Sequence, residues 1–233
     1  MNIGRRDFMQ MLAFASAGGM ALAQRGVLAA GAGAGDALMA KPTVLLYPGA
    51  GTGRGQPSLV AIEQQLGSTA SVERLDFPYR REGRRAPDRA PKLMAAIRDD
   101  LATVRRRRGP VVMGGRSMGG RMTSMVAADV DGGGPVARLA GLVLICYPLH
   151  PPAKPGRLRV EHLVDISVPC LFISGTKDPF GSPDELTEWT TTIPAAVEHI
   201  WIDGARHDLA GAGADATIAV AVANFVARVS ASA

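Results

Sequence analysis

GGRSMGGR, Gly114 to Arg121, is the stretch whose reading decides the fold. Within it Gly115-Arg116-Ser117-Met118-Gly119 fits G-x-S-x-G, in which a serine sits on a turn so tight that the residues two before and two after must lack a bulky side chain. Glycine is abundant here, 28 of 233 residues, so the pattern alone also describes an ordinary glycine-rich corner. The flanks separate the two readings. Val111 to Met113 reads as a buried strand entering the turn, and Met122, Met125 and Val126 give the segment after it an apolar helical face. A serine between such a strand and such a helix is a candidate nucleophile.

Working outward, apolar runs too short for helices alternate with longer segments of helical period, as in a parallel sheet covered on both faces. The runs are Thr43 to Tyr47, Val72 to Phe77, Pro110 to Gly114, Leu142 to Tyr147, Cys170 to Ser174 and Glu198 to Ile202. Helices are expected over Ser58 to Leu66, Pro91 to Arg107, Met118 to Asp129, Asp184 to Thr192 and Ala214 to Val229. The expected class is α/β, with about six mostly parallel strands and helices on both faces. Pro148 to Asp165 has no clear element and starts at the C-terminal end of a strand, the edge where open α/β sheets bind ligands.

A serine hydroxyl needs a base, and the chain offers four histidines. His207 follows the last strand in IDGARHDL, at the sheet edge where Ser117 is expected. His199 falls inside a strand, and His150 and His162 precede the position expected for the acid. That acid fixes the imidazole tautomer, and the chain order is serine, acid, histidine. Asp178, in SGTKDPFG after the fifth strand, meets the requirement, with Asp203 as a fallback. An oxyanion hole takes one N–H from Met118 and one from the loop Tyr47-Pro48-Gly49-Ala50-Gly51, with Ala50 the donor and Gly49 beside the substrate. A phosphate-binding reading of that loop fails G-x-G-x-x-G at Arg54, and no G-K-[ST] follows, although Asp76 keeps a dinucleotide alternative. No metal and no cofactor is called for.

The N-terminus reads as an export signal. Arg5-Arg6-Asp7-Phe8-Met9 precedes the uncharged run Met11 to Ala23, too short to span a bilayer and ending in Ala21-Leu22-Ala23. Residues 1–40 are therefore expected to be a twin-arginine-like signal and flexible spacer, and residues 41–233 one domain of a periplasmic or secreted protein. An amphipathic helix of a cytoplasmic protein is the alternative. The net charge of +5 does not imply nucleic acid, because Arg105 to Arg108 are expected to end a helix and no aromatic residues interleave with them. Cys146 and Cys170 lie too far apart along neighbouring parallel strands for a disulfide, so two free buried thiols are expected.

LDFPYRREGRRAPDR, GGRSMGGRM, CYPLHPPAKPGRLRVEHL and SGTKDPFG together resemble the α/β-hydrolase superfamily, specifically its dienelactone-hydrolase-like branch with the testis-expressed-protein relatives. The resemblance covers nearly everything beyond Lys41 and implies Ser117, Asp178 and His207 as a triad. Two departures stand out. Pro48 occupies a position usually held by histidine, and Ala205-Arg206-His207 puts a cation where Gly-Asp-His is usual.

By topology Pro78 to Arg89 and Pro148 to Arg159 rim the pocket, so Arg84, Arg85 and His150 are candidates to bind an anionic substrate group. The alternative pairs the arginines with Glu82 and Asp88. The segment after Pro148 is too short for a helical cap, which suits a small soluble ester better than a lipid. The expected function is hydrolysis of a small carboxylic ester or thioester, with no nucleic-acid partner, no membrane span in the mature chain and the oligomeric state open. A non-catalytic binding or assembly module on the same fold is the competing class.

Overall fold

The computed structural model describes residues 40–210 and 213–233. The expected signal and spacer, residues 1–40, lie outside the described residues apart from Ala40. The strands are β1 (Thr43–Tyr47), β2 (Ser71–Arg74), β3 (Val111–Arg116), β4 (Leu139–Ile145), β5 (Cys170–Gly175) and β6 (Val197–Ile202). They form one sheet in the order β2-β1-β3-β4-β5-β6, parallel throughout. The helices are α1 (Pro57–Leu66), α2 (Pro78–Arg81), α3 (Ala90–Val104), α4 (Met118–Ala127), α5 (Pro183–Thr190) and α6 (Ala214–Ala231). The α/β class with its six-stranded sheet stands as expected.

Side chains alternate across the sheet and supply two cores. Val44, Leu46, Val112, Val143, Ile145, Leu171 and Ile173 face α1 and α6, meeting Leu59, Ile62, Ile218, Val222 and Phe225. Leu45, Tyr47, Met113, Leu142, Leu144 and Phe172 face the other layer, meeting Leu93, Ile97, Met122, Val126 and Leu186. Both faces are covered, so the central strands are apolar without polar alternation. Each fully buried aliphatic or aromatic side chain contributes about 1.5–3 kcal/mol relative to exposure. Helix α6 is apolar and long enough by composition to cross a membrane, but its buried positions lie on the sheet and against α1, which makes it a core helix.

Local rules account for the ends of the elements. Pro57, Pro78, Ala90-Pro91 and Pro183 open helices where a missing N–H costs nothing. Ser182 and Glu185 close a reciprocal capping box on α5. Strand β2 stops at Arg74, short of the expected Phe77, because the chain turns into α2 at Pro78. Helix α3 stops at Val104, short of the expected Arg107. Beyond it the Arg138 guanidinium takes the carbonyls of Arg105, Arg107 and Gly109, while Arg107 reaches Ser71 and Glu73. The basic run thus serves loop pairing and does not complement the helix dipole.

Cys170 pairs in register with Leu142, four residues before Cys146, and the two thiols belong to opposite cores. Both are free and buried, as expected. Because all strands are parallel, the loops after β1, β3, β4, β5 and β6 emerge at one edge. The chain order turns back at β1 and β3, and such a switch point leaves a crevice outside the strand ends.

Candidate active site

Ser117 stands between β3 and α4 with φ 49° and ψ −114°, a left-handed backbone that a non-glycine residue adopts only when its surroundings enforce it. The flanking glycines explain how. A Cβ on Gly115 would lie 2.2 Å from the Tyr47 carbonyl oxygen, and one on Gly119 would lie 2.3 Å from the same atom. Strand β1 therefore passes against both sides of the turn, and only hydrogen fits there.

His207 follows β6 and brings Nε2 to 2.9 Å from Ser117 Oγ. Its Nδ1 stands 2.8 Å from Asp178 Oδ2 and 3.0 Å from Oδ1. A carboxylate only accepts, so Nδ1 carries the proton, and Nε2 offers its lone pair to the serine hydroxyl. Asp178 is almost fully buried after β5 and also accepts the Phe180 N–H at 2.9 Å, which fixes the carboxylate plane. The Phe180 ring lies over the imidazole with centroids 4.0 Å apart. Arg116, buried beneath the turn, donates to the His207 carbonyl and ties the serine strand to the histidine loop. Asp203, the fallback acid, instead accepts from Thr176, whose oxygen takes the Gly204 N–H.

The loop after β1, expected to carry one oxyanion donor, is braced by side chains. Gln56, nearly buried, accepts the Gly49 N–H at 3.4 Å and the Thr52 hydroxyl at 3.0 Å. Thr52 N–H donates to the Gly49 carbonyl, which orients the peptide carrying the Ala50 N–H. Tyr79 donates to the Ala50 carbonyl at 2.9 Å. Met118 opens α4, so its N–H is one the helix leaves without an internal partner. Asp76 accepts the Arg54 N–H at 2.6 Å and so closes this loop; the carboxylate is spent on the fold.

A cavity of about 770 Å³ opens over these groups, lined by Gly49, Ala50, Ser117, Met118 and His207 among others. Arg84, Arg85 and His150 do not line it. Arg84 is held by Glu82 and Asp88, Arg85 is exposed, and His150 is buried with Nδ1 3.0 Å from the Pro151 carbonyl and Nε2 3.3 Å from Glu185. The cavity's cations are Arg116, Arg121, Arg159 and Arg206. Sequence reasoning missed Arg121, although its place four residues after Ser117 on a helix puts both on one face. His199 and His162 take structural places, bonded to Thr190 and Ser124 respectively.

Cys146 is a second omission. Its sulfur, an Asp178 oxygen and a His207 nitrogen lie within 4.8 Å of one another, a spacing that can hold a metal ion. Burial and the neighbouring Asp178 push the thiol up to about 12, so it is present as S–H, a poor metal ligand. Asp178 and His207 are already engaged with each other and with Ser117.

A family model described as an alpha/beta hydrolase domain matches residues 40–232. Among solved structures, Est1E from Butyrivibrio proteoclasticus is similar at 13% identity, with 82% of this chain and 89% of that chain covered and a TM-score of 0.66. Dienelactone hydrolase from Anabaena variabilis is similar at 17% identity, covering 81% and 87%, with a TM-score of 0.64. The RedJ thioesterase from Streptomyces coelicolor is similar at 16% identity, covering 85% and 90%, with a TM-score of 0.59. At such identities these structures speak for the fold.

Proposed function

The chain belongs to the alpha/beta hydrolase domain family, and from that premise we propose that it is a serine hydrolase acting on a small carboxylic ester or thioester through an acyl-enzyme on Ser117. The continuous line from Ser117 Oγ through the His207 ring to Asp178 carries this reading, because it gives the serine a base and the base an orienting anion.

In the first half-reaction Ser117 Oγ attacks the substrate carbonyl carbon as His207 Nε2 takes the hydroxyl proton. The carbonyl oxygen becomes an anion facing the N–H groups of Met118 and Ala50. Asp178 stays ionised and stabilises the imidazolium. Collapse of the tetrahedral intermediate breaks the bond to the alcohol or thiol, which leaves with the proton from His207. Water then repeats the sequence on the acyl-serine, with His207 again acting as base, and releases the acid and free Ser117. Between β4 and β5 the chain holds only a short 3-10 turn, Leu163–Asp165, in place of a helical cap, which favours a small acyl group. Residues 1–40 carry the further proposal that the enzyme acts outside the cytoplasm, which a processed N-terminus in the periplasmic fraction would support and an intact cytoplasmic chain would refute.

Stopped-flow hydrolysis of p-nitrophenyl acetate tests the acyl-enzyme. A burst of p-nitrophenol near one equivalent per chain, lost in Ser117→Ala, is the expected result. Hydrolysis by Ser117→Ala at the parent rate overturns the reading.

A further inference from the structure

The cavity is electrostatically one-sided. Arg116, Arg121, Arg159 and Arg206 line it, and the one acid among its lining residues, Asp208, is exposed at the mouth. None of the four arginines has a carboxylate within 4.0 Å among the described residues, whereas Arg84, Arg98, Arg107 and Arg228 all pair with acids. Arg116 is occupied by the His207 carbonyl, and Arg206 is exposed. That leaves Arg121, and Arg159, whose guanidinium makes one long bond, to the Pro148 carbonyl at 3.5 Å, and keeps its other N–H groups for a ligand.

Arg121 lies on α4 four residues beyond its N-cap Ser117, about 6 Å along the axis and on the same face. Its Nε is buried without a hydrogen-bond partner among the described residues. Arg159 approaches from the loop after β4, with its carbonyl pinned by the Tyr147 hydroxyl at 2.8 Å. Arg121 and Arg159 line the same cavity wall as Ser117; in keeping with that, burial lowers the pKa of Arg159 and the charge of Arg121 lowers it further. Two neighbouring like charges and an orphaned donor are costly arrangements unless an anion joins them.

We propose that Arg121 and Arg159 form a subsite for a carboxylate or phosphate group of the substrate, so that the preferred ester or thioester carries an anion near its scissile carbonyl. The subsite rests on the serine-hydrolase reading and narrows its substrate class. It also moves anion recognition from Arg84, Arg85 and His150 to residues that share the cavity with Ser117.

The test compares kcat/KM for p-nitrophenyl hemiadipate with that for p-nitrophenyl heptanoate, subtracting uncatalysed rates. The parent should prefer the charged ester by about tenfold or more, and high salt should shrink that preference. In Arg121→Met and Arg159→Met the charged-to-neutral ratio should fall by about ten- to a hundredfold. Should one variant fail to fold, the other decides. Calorimetric titration of the parent with free adipate and with inorganic phosphate distinguishes the carboxylate from the phosphate source, and binding should weaken by at least tenfold in Arg159→Met. A ratio near or below one in the parent, a ratio unmoved in the folded variants, or no binding of either anion overturns the subsite. Serine-dependent hydrolysis of the heptanoate without charge preference leaves the hydrolase reading intact, while activity that survives Ser117→Ala removes that reading instead.

Discussion

Gly115→Ala tests the link between the packing of the turn and the geometry of the nucleophile. The added Cβ would meet the Tyr47 carbonyl oxygen at 2.2 Å, with Tyr47 C and N at 3.0 Å. Ordinary contact begins near 3.4 Å, so β1 and β3 must separate locally by about 1 Å, and the atoms in the way are backbone that cannot rotate aside. Overpacking of this kind costs about 1–3 kcal/mol. Displacing Ser117 by about 1 Å from His207 costs about a hundredfold in rate. Urea denaturation and p-nitrophenyl acetate hydrolysis, run beside Gly55→Ala, measure both effects. Gly55 has open space around it and no left-handed backbone, so its variant should stay within about 0.5 kcal/mol of the parent. A Gly115→Ala protein that matches the parent in both assays would refute the claim that β1 clamps the turn.

Other outcomes follow from the same geometry. Asp178→Asn should lower kcat by about 10⁴-fold with little loss of stability, checked by steady-state kinetics and thermal melting, because the amide no longer fixes the His207 tautomer. Arg116→Met should lower kcat by about tenfold in steady-state kinetics, since it releases the His207 carbonyl that ties the histidine loop to β3. Burial, and then the Arg121 charge, push His162 down to about 4, against opposing effects of Glu161 and Asp165. The unfolded chain therefore binds the extra proton first, and stability that is full at pH 7 is lost as pH falls from about 6.5 towards 4. The share of His162 in that loss is about 3 kcal/mol, and His162→Gln should lose correspondingly less stability than the parent when urea midpoints are compared at pH 7 and pH 4.5.

The central strands were legible because they are buried on both faces and written in apolar runs such as TVLLY. Their parallel order followed from the helices between them. Element ends were less legible where distant groups decide them: just past the end of α3, Arg138, thirty-odd residues later in sequence, takes the carbonyls of Arg105 and Arg107. Ser117, Asp178 and His207 could be picked out because each follows a strand at the same sheet edge, a property of chain order alone. The anion-binding candidates Arg84, Arg85 and His150 also followed strands at that edge. What the order does not carry is side-chain pairing, and Arg84 is consumed by neighbours two and four residues away. Arg121 was readable from helical spacing, whereas Arg159 depended on the path of the irregular loop after β4. The braces at Gln56 and Arg116 needed the folded loops before they had partners.

The central claim is that Ser117 is an activated nucleophile, and a fluorophosphonate probe tests it most directly. The folded protein should be labelled once, at Ser117 by peptide mass mapping, with labelling abolished by Ser117→Ala and slowed strongly by His207→Ala. Absence of labelling on the folded parent, or labelling that persists in Ser117→Ala, would contradict it.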